Sequence, residues 1–145
     1  MAIVTTFGQS VPMGQAEPSW QEAMKTAVRD PQRLCQHLDL PLPYHAAAVE
    51  AAKSFPVFAP WEYMARMKPG DPQDPLLRQV LPIADEVAVV PGFDSDPVHE
   101  QDAILRPGLL QKYSGRALMV ATGACAIHCR YCFRRHFPYS EAPSS

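Results

Sequence analysis

The sequence lacks any run of about 18 or more apolar residues, so no membrane-spanning helix is expected. Its first twenty residues, MAIVTTFGQSVPMGQAEPSW, lack a basic segment followed by an apolar stretch, and no signal peptide is read there. Neither sign of charge dominates. Thirteen Lys and Arg stand against fifteen Asp and Glu, a net charge of -2. That balance excludes a general attraction to nucleic acid or to an anionic membrane. Glycine is scarce, with 7 residues against 16 prolines. The prolines are spread through the chain as punctuation between short elements rather than gathered in a disordered tract. No internal repeat is present. Cysteine is also scarce. There are four, and Cys35 stands about 90 residues upstream of the other three. Three clustered cysteines cannot all pair among themselves, which argues against a disulfide framework and for a metal site in a reducing, cytoplasmic setting. Cys35 is expected to be a small buried apolar residue.

What is present is a globular composition, 47% hydrophobic and 19% charged, in a chain of 145 residues. That length is enough for one hydrophobic core. Residues 1 to 17 read as irregular. Ser19 with Glu22 forms a capping box before a helix whose apolar stripe is Trp20, Ala23, Met24, Ala27 and Val28. Asp30-Pro31 ends that helix and starts another, with Leu34, Cys35 and Leu38 on its buried face. Residues 43 to 54, PYHAAAVEAAKS, are alanine-rich and helical by propensity. Pro60 opens a short helix, Gly70 is a C-terminal cap, and Asp74-Pro75 starts the next turn. Residues 82 to 115 read as loop-rich. RALMVA, residues 116 to 121, is a short apolar run that fits a strand covered on both faces, as in parallel sheets.

Directly after that run comes GACAIHCRYCFRRHFPY, residues 123 to 139. Cys125, Cys129 and Cys132 stand in the pattern C-x3-C-x2-C. An iron–sulfur cubane has four irons, each needing one outer ligand. Three thiolates would hold three of them and leave the fourth iron open to a small molecule. The alternative is zinc in a Cys3His set, with His128 or His136 as the fourth ligand. The triplet is unlike the two well-spaced pairs of ordinary zinc sites, but both readings stand on the residues alone.

The triplet with Tyr131 before its last cysteine resembles the signature of the radical S-adenosylmethionine superfamily. The resemblance implies that Cys125, Cys129 and Cys132 hold a [4Fe–4S] cluster whose open iron is chelated by S-adenosylmethionine. Electron transfer from the reduced cluster would then release methionine and a 5′-deoxyadenosyl radical. Tyr131 would lie near the adenine, its alternative being to pack beneath the loop. Residues 71 to 82, 96 to 113 and 116 to 139 resemble the lysine 2,3-aminomutase family. CRYCFRRHFPY, with Phe133 after the third cysteine, is most similar to the branch that makes (R)-β-lysine for elongation factor P.

By that resemblance the enzyme is an isomerase acting on L-lysine. It would use pyridoxal 5′-phosphate as a further cofactor and an electron donor for the cluster, and it is compatible with a homo-oligomer. The family's pyridoxal-phosphate lysine belongs to later barrel strands and is not assigned to any lysine here. Arg134 and Arg135 could face a phosphate or the substrate carboxylate, but read first as solvated positive charge beside an anionic cluster. The expected fold class is α/β: an irregular N-terminus over residues 1–17, a helical, proline-punctuated region over 18–115, and then, over 116–145, the first strand and cluster loop of a partial TIM-like β/α barrel. A closed barrel needs about 250 residues, so the chain reads as the N-terminal part of a longer enzyme without turnover of its own. Its residues 116–145 are expected to be poorly packed when alone. A radical S-adenosylmethionine enzyme of other specificity and a non-catalytic zinc module are the alternatives.

Overall fold

The structure is a computed structural model that describes residues 19–132 and 135–136. The irregular stretch expected over residues 1–17, and Phe133, Arg134 and residues 137–145, lie outside the described residues. Four short helices come first: α1 (Trp20–Thr26), α2 (Pro31–His37), α3 (Leu42–Ala52) and α4 (Trp61–Met64). Single 3-10 turns follow at Leu77–Gln79, Ala84–Val87 and Gln101–Ala103. Three strands close the described chain: β1 (Ile104–Arg106), β2 (Leu109–Tyr113) and β3 (Arg116–Met119).

The helix starts follow local chemistry. The Ser19 hydroxyl accepts from the Glu22 N–H at 3.3 Å, and the Glu22 carboxylate accepts from the Ser19 N–H at 3.1 Å. The Asp30 carboxylate accepts from the Gln32 N–H at 2.9 Å, with Pro31 in the first turn of α2. Between α1 and α2 the chain is extended, and Val28 exchanges both backbone hydrogen bonds with Ala59 at 2.8 and 3.0 Å. Gly70 does not cap α4, which ends at Met64. It takes a positive φ of 71° and donates its N–H to the Leu38 carbonyl at 2.7 Å, joining the end of α2 to the turn after α4. Asp74 fixes the turn that follows. One carboxylate oxygen accepts from the N–H groups of Leu76 and Leu77, both at 2.9 Å, and the other from Lys68 at 3.1 Å.

The core forms where these elements meet. Leu34 and Cys35 of α2 and Leu38 at its C-terminal cap pack with Ala48 of α3, with Val57 and Ala59, and with Met64, Leu77 and Val80. The expected stripe of α1 is only partly realised. Ala27 and Val28 are buried, but Trp20 is 72% exposed. None of the seven residues of α1 is itself buried, and the buried end of the stripe lies in the extended segment after the helix.

The sheet departs from the expectation. Residues 104–106 and 109–113, read as loop, are strands, and all three strands are antiparallel in the order β1-β2-β3. Two tight turns dictate this. Arg106 pairs with Leu109 across Pro107-Gly108, and Tyr113 pairs with Arg116 across Ser114-Gly115. Gly108 and Gly115 supply the positive φ that such turns need. Two-residue connections can join only antiparallel neighbours, because a parallel pair requires a long crossover. The strand expected within residues 116–121 therefore exists, but as the third strand of a meander. All four of its residues are exposed rather than covered on both faces. The described part is a mixed helix-and-sheet chain, compatible with the α/β expectation. No helix among the described residues is long and apolar enough to cross a membrane.

Cys35 is fully buried, and burial, aided by the charge of Asp30, pushes its thiol up to about 11. Two predictions follow from the core. Leu34→Ala should destabilise the fold by about 2–5 kcal/mol in denaturant titration, because Leu34 is fully enclosed. Iodoacetamide at pH 8 should leave Cys35 unmodified by mass spectrometry while Cys125 is alkylated. The thiolate form that reacts is scarce below about 11 and shielded besides.

Candidate metal centre on the cysteine loop

The chain leaves β3 at Val120, whose N–H donates to the Gly108 carbonyl at 2.7 Å, and enters the cysteine loop. The loop is pinned to the helical layer by backbone and side chain alike. The His128 N–H donates to the Phe58 carbonyl at 2.9 Å, and the Arg130 N–H donates to the Gln79 carbonyl at 2.7 Å. Ile127 packs against the hydrophobic core. The expectation of poor packing therefore fails for residues 127–130, and β3, although exposed, has β2 as a sheet partner. The His128 ring stacks on Phe55 at a centroid distance of 5.0 Å, and its Nδ1 lies 3.0 Å from the Pro56 carbonyl. A carbonyl can only accept, so Nδ1 is the donor in this contact.

Cys125, Cys129 and Cys132 are all free thiols. Cys125 is exposed and the other two are half-buried. All three line one cavity of about 580 Å³, with Phe55, Ile127 and Tyr131 on its walls. Burial raises the pKa of Cys129, and the neighbouring charges of Cys125 and Cys132 raise it further, against a hydrogen bond from Tyr131. Cys125 and Cys132 thus oppose the ionisation of Cys129, a repulsion that a bound cationic centre relieves. Among the described residues no three His, Cys, Asp or Glu side chains converge on a single-ion site. A tetrahedral zinc with bonds of about 2.3 Å would need its sulfurs within about 4 Å of each other. A cubane takes one thiolate at each of three separate irons. His128 lines the same cavity. His136 is exposed. Tyr131 is 73% exposed, which rules out packing beneath the loop, and its hydroxyl reaches Gln79 only at 3.5 Å.

Arg130, between the second and third cysteines, is 7% exposed. Its Nε donates to both carboxylate oxygens of Glu86, at 2.9 and 3.1 Å. Nη2 bonds the same carboxylate, and Nη1 donates to the Phe55 carbonyl. Glu86 in turn accepts from the Ile83 N–H at 3.2 Å, which locks the 3-10 turn at Ala84–Val87. Arg135 joins the group. Its Nη2 lies 3.0 Å from Glu86 and 3.1 Å from the Ser54 hydroxyl, and its Nη1 donates to the Arg130 carbonyl at 3.3 Å. The Arg135 side chain is only 14% exposed. The solvated charge expected at this position is instead an anchored one. Arg134 lies outside the described residues. Sequence reasoning missed Glu86, Phe55 and Gln79, which have no local signal linking them to a loop more than 40 residues away.

Removing the carboxylate with Glu86→Ala would leave Arg130 buried without its charge partner, at a cost of about 3–5 kcal/mol. Hydrogen exchange should show the amides of His128 and Arg130 losing protection before those of α2.

No protein-family model matches the chain. Comparison with curated proteins finds close likeness to enzymes named L-lysine 2,3-aminomutase. The Escherichia coli K12 protein is 46% identical over 123 residues, 84% of this chain and 36% of that protein. The Haemophilus influenzae protein is 40% identical over 92% of this chain and 40% of its own length. That of Buchnera aphidicola is 38% identical over 87% of this chain and 37% of its own. The chain thus spans well under half the length of the curated relatives it matches. Likeness of 38–46% over most of the chain, in three relatives of one name, supports its place in the L-lysine 2,3-aminomutase family.

Proposed function

We propose that this chain is the cluster-bearing part of a radical S-adenosylmethionine isomerase of the lysine 2,3-aminomutase type, with L-lysine as substrate. The observation that carries the reading is the placement of three free thiols, in C-x3-C-x2-C spacing, on one cavity beside an anchored loop. Cys125, Cys129 and Cys132 would hold a [4Fe–4S] cluster, and three soft thiolate donors suit iron–sulfur chemistry. When bound, the cluster supplies the electron that cleaves S-adenosylmethionine. Domain limits of 18–115 for the platform, which holds β1 and β2 besides its helices, and 116–145 for the strand and cluster loop of a β/α barrel belong to the same reading.

The chain's own residues have defined duties. Arg130 and His128 hold the loop on the platform, which would keep Cys129 and Cys132 in place. Phe55 and Ile127 give the cavity apolar walls that limit water near a reactive centre. Exposed Tyr131 on the rim offers a ring face to an adenine. Pyridoxal 5′-phosphate and the substrate carboxylate would be held by parts of the relatives that this chain does not span. A cytoplasmic location, an external electron donor and service to elongation factor P through (R)-β-lysine complete the proposal. The zinc reading has one observation in its favour. The Pro56 carbonyl fixes His128 in the tautomer whose Nε2 can ligate a metal.

Anaerobic reconstitution with iron and sulfide separates these readings. The expected result is a brown protein with about four irons per chain, whose reduced electron paramagnetic resonance spectrum changes on adding S-adenosylmethionine. Replacing any one of Cys125, Cys129 or Cys132 by alanine should abolish most of the iron uptake. A colourless protein with one tightly bound zinc would overturn the cluster.

A further inference from the structure

Two guanidinium groups share one carboxylate behind the cysteine cavity. Among the described residues Glu86 is the one acidic side chain in salt-bridge reach of Arg130 and of Arg135. All three side chains are between 6% and 14% exposed. The group therefore carries one surplus positive charge that water screens poorly. Its immediate surroundings are aromatic and lower the local dielectric. The Arg130 guanidinium lies 5.1 Å from the centroid of Phe55, and that of Arg135 lies 5.5 Å from the same ring.

Arg135 is the member that faces the cysteines. It lines the cavity that holds Cys125, Cys129 and Cys132, and its N–H donates to the Cys132 carbonyl at 3.1 Å. Its Nε is buried and has no hydrogen-bond partner among the described residues. Both of its terminal nitrogens are already engaged, so the guanidinium is held in place rather than swinging. A fixed cation on the wall of a cysteine-lined cavity favours whichever state of the occupant is more negative.

We propose that Arg135, backed by Arg130 and Glu86, sets the reduction potential of a cluster on the three cysteines. The proposal rests on the cluster reading above. An iron–sulfur centre bound by three thiolates is anionic, and reduction adds a further negative charge. Net charge and hydrogen bonds to sulfur are established levers on such potentials. Arg135 stabilises the reduced form, and Glu86 opposes it while fixing the geometry. Arg135 is thus a tuning residue that touches no substrate.

The test is a redox titration of the anaerobically reconstituted 145-residue chain, followed by electron paramagnetic resonance. Arg135→Gln should shift the oxidised-to-reduced ratio about tenfold toward oxidised at a given potential, about 59 mV lower for a one-electron couple. Glu86→Gln should move the midpoint in the opposite direction, and Arg135→Lys should leave it near the wild-type value. General loosening of the loop would move Arg135→Gln and Glu86→Gln the same way. A common direction, or no shift, overturns the proposal while leaving the cluster reading intact. If Glu86→Gln does not fold, a contrast between Arg135→Gln and Arg135→Lys decides the matter, and equal midpoints overturn it. A wild-type chain that takes up no iron–sulfur cluster overturns both readings together.

Discussion

The bond between the Arg130 guanidinium and the Glu86 carboxylate is the constraint on which the site depends. It is multiply hydrogen-bonded, almost enclosed, and joins a loop at one end of the described chain to a turn 44 residues earlier. Buried ion pairs carry a large desolvation cost and are stable only when their remaining hydrogen-bonding capacity is met. Here it is met almost completely. The carboxylate also accepts from Ile83 and Arg135, and the guanidinium also reaches the Phe55 carbonyl. The pair thereby holds the backbone of residues 129–132 at a fixed height above Phe55, and with it two of the three cysteines.

This gives the helical region a purpose that its small helices would not otherwise declare. None of the four has enough length to be stable by itself. Side-chain caps at Ser19 and Asp30 start α1 and α2, Asp74 fixes the turn after α4, and α2, α3 and α4 share the core around Leu34 and Leu77. Of the carbonyls that receive the loop, those of Phe55, Pro56 and Phe58 come from the segment between α3 and α4, and that of Gln79 is the last of a 3-10 turn. In those segments the backbone is free of helical hydrogen bonds and its acceptors remain available. The prolines that punctuate this region are one reason such acceptors exist, since a proline lacks the N–H that would draw its segment into a ladder.

Much of the local structure was legible in the sequence, because capping and proline signals act over three or four residues. Ser19 with Glu22, Asp30 with Pro31, and Asp74 all behave as their residue types dictate. The burial of Cys35 was legible from its place on an apolar face. The cysteine triplet marked the site, and its likeness to lysine 2,3-aminomutases agrees with the relatives found. The sheet was misread because RALMVA was judged by its apolar content alone, while the glycine turns at 107–108 and 114–115 decide that its neighbour is antiparallel. The anchoring of Arg130 and Arg135 could not be read. A carboxylate 44 residues distant leaves no periodic or spacing signal, and a pair of arginines in a loop looks the same whether solvated or buried.

The long sequence separation of these contacts has a consequence for how the protein acquires its parts. His128 meets Pro56 across 72 residues and Arg130 meets Phe55 across 75, whereas the helices and their caps close within a few residues. Contacts that span long loops form late, since the entropy of bringing the ends together must be overcome first. During synthesis the receiving surface emerges from the ribosome before the thiols do. The sulfur-bearing segment thus meets a prepared seat as it appears, which shortens the time Cys129 and Cys132 spend fully open to oxidants and stray metal ions.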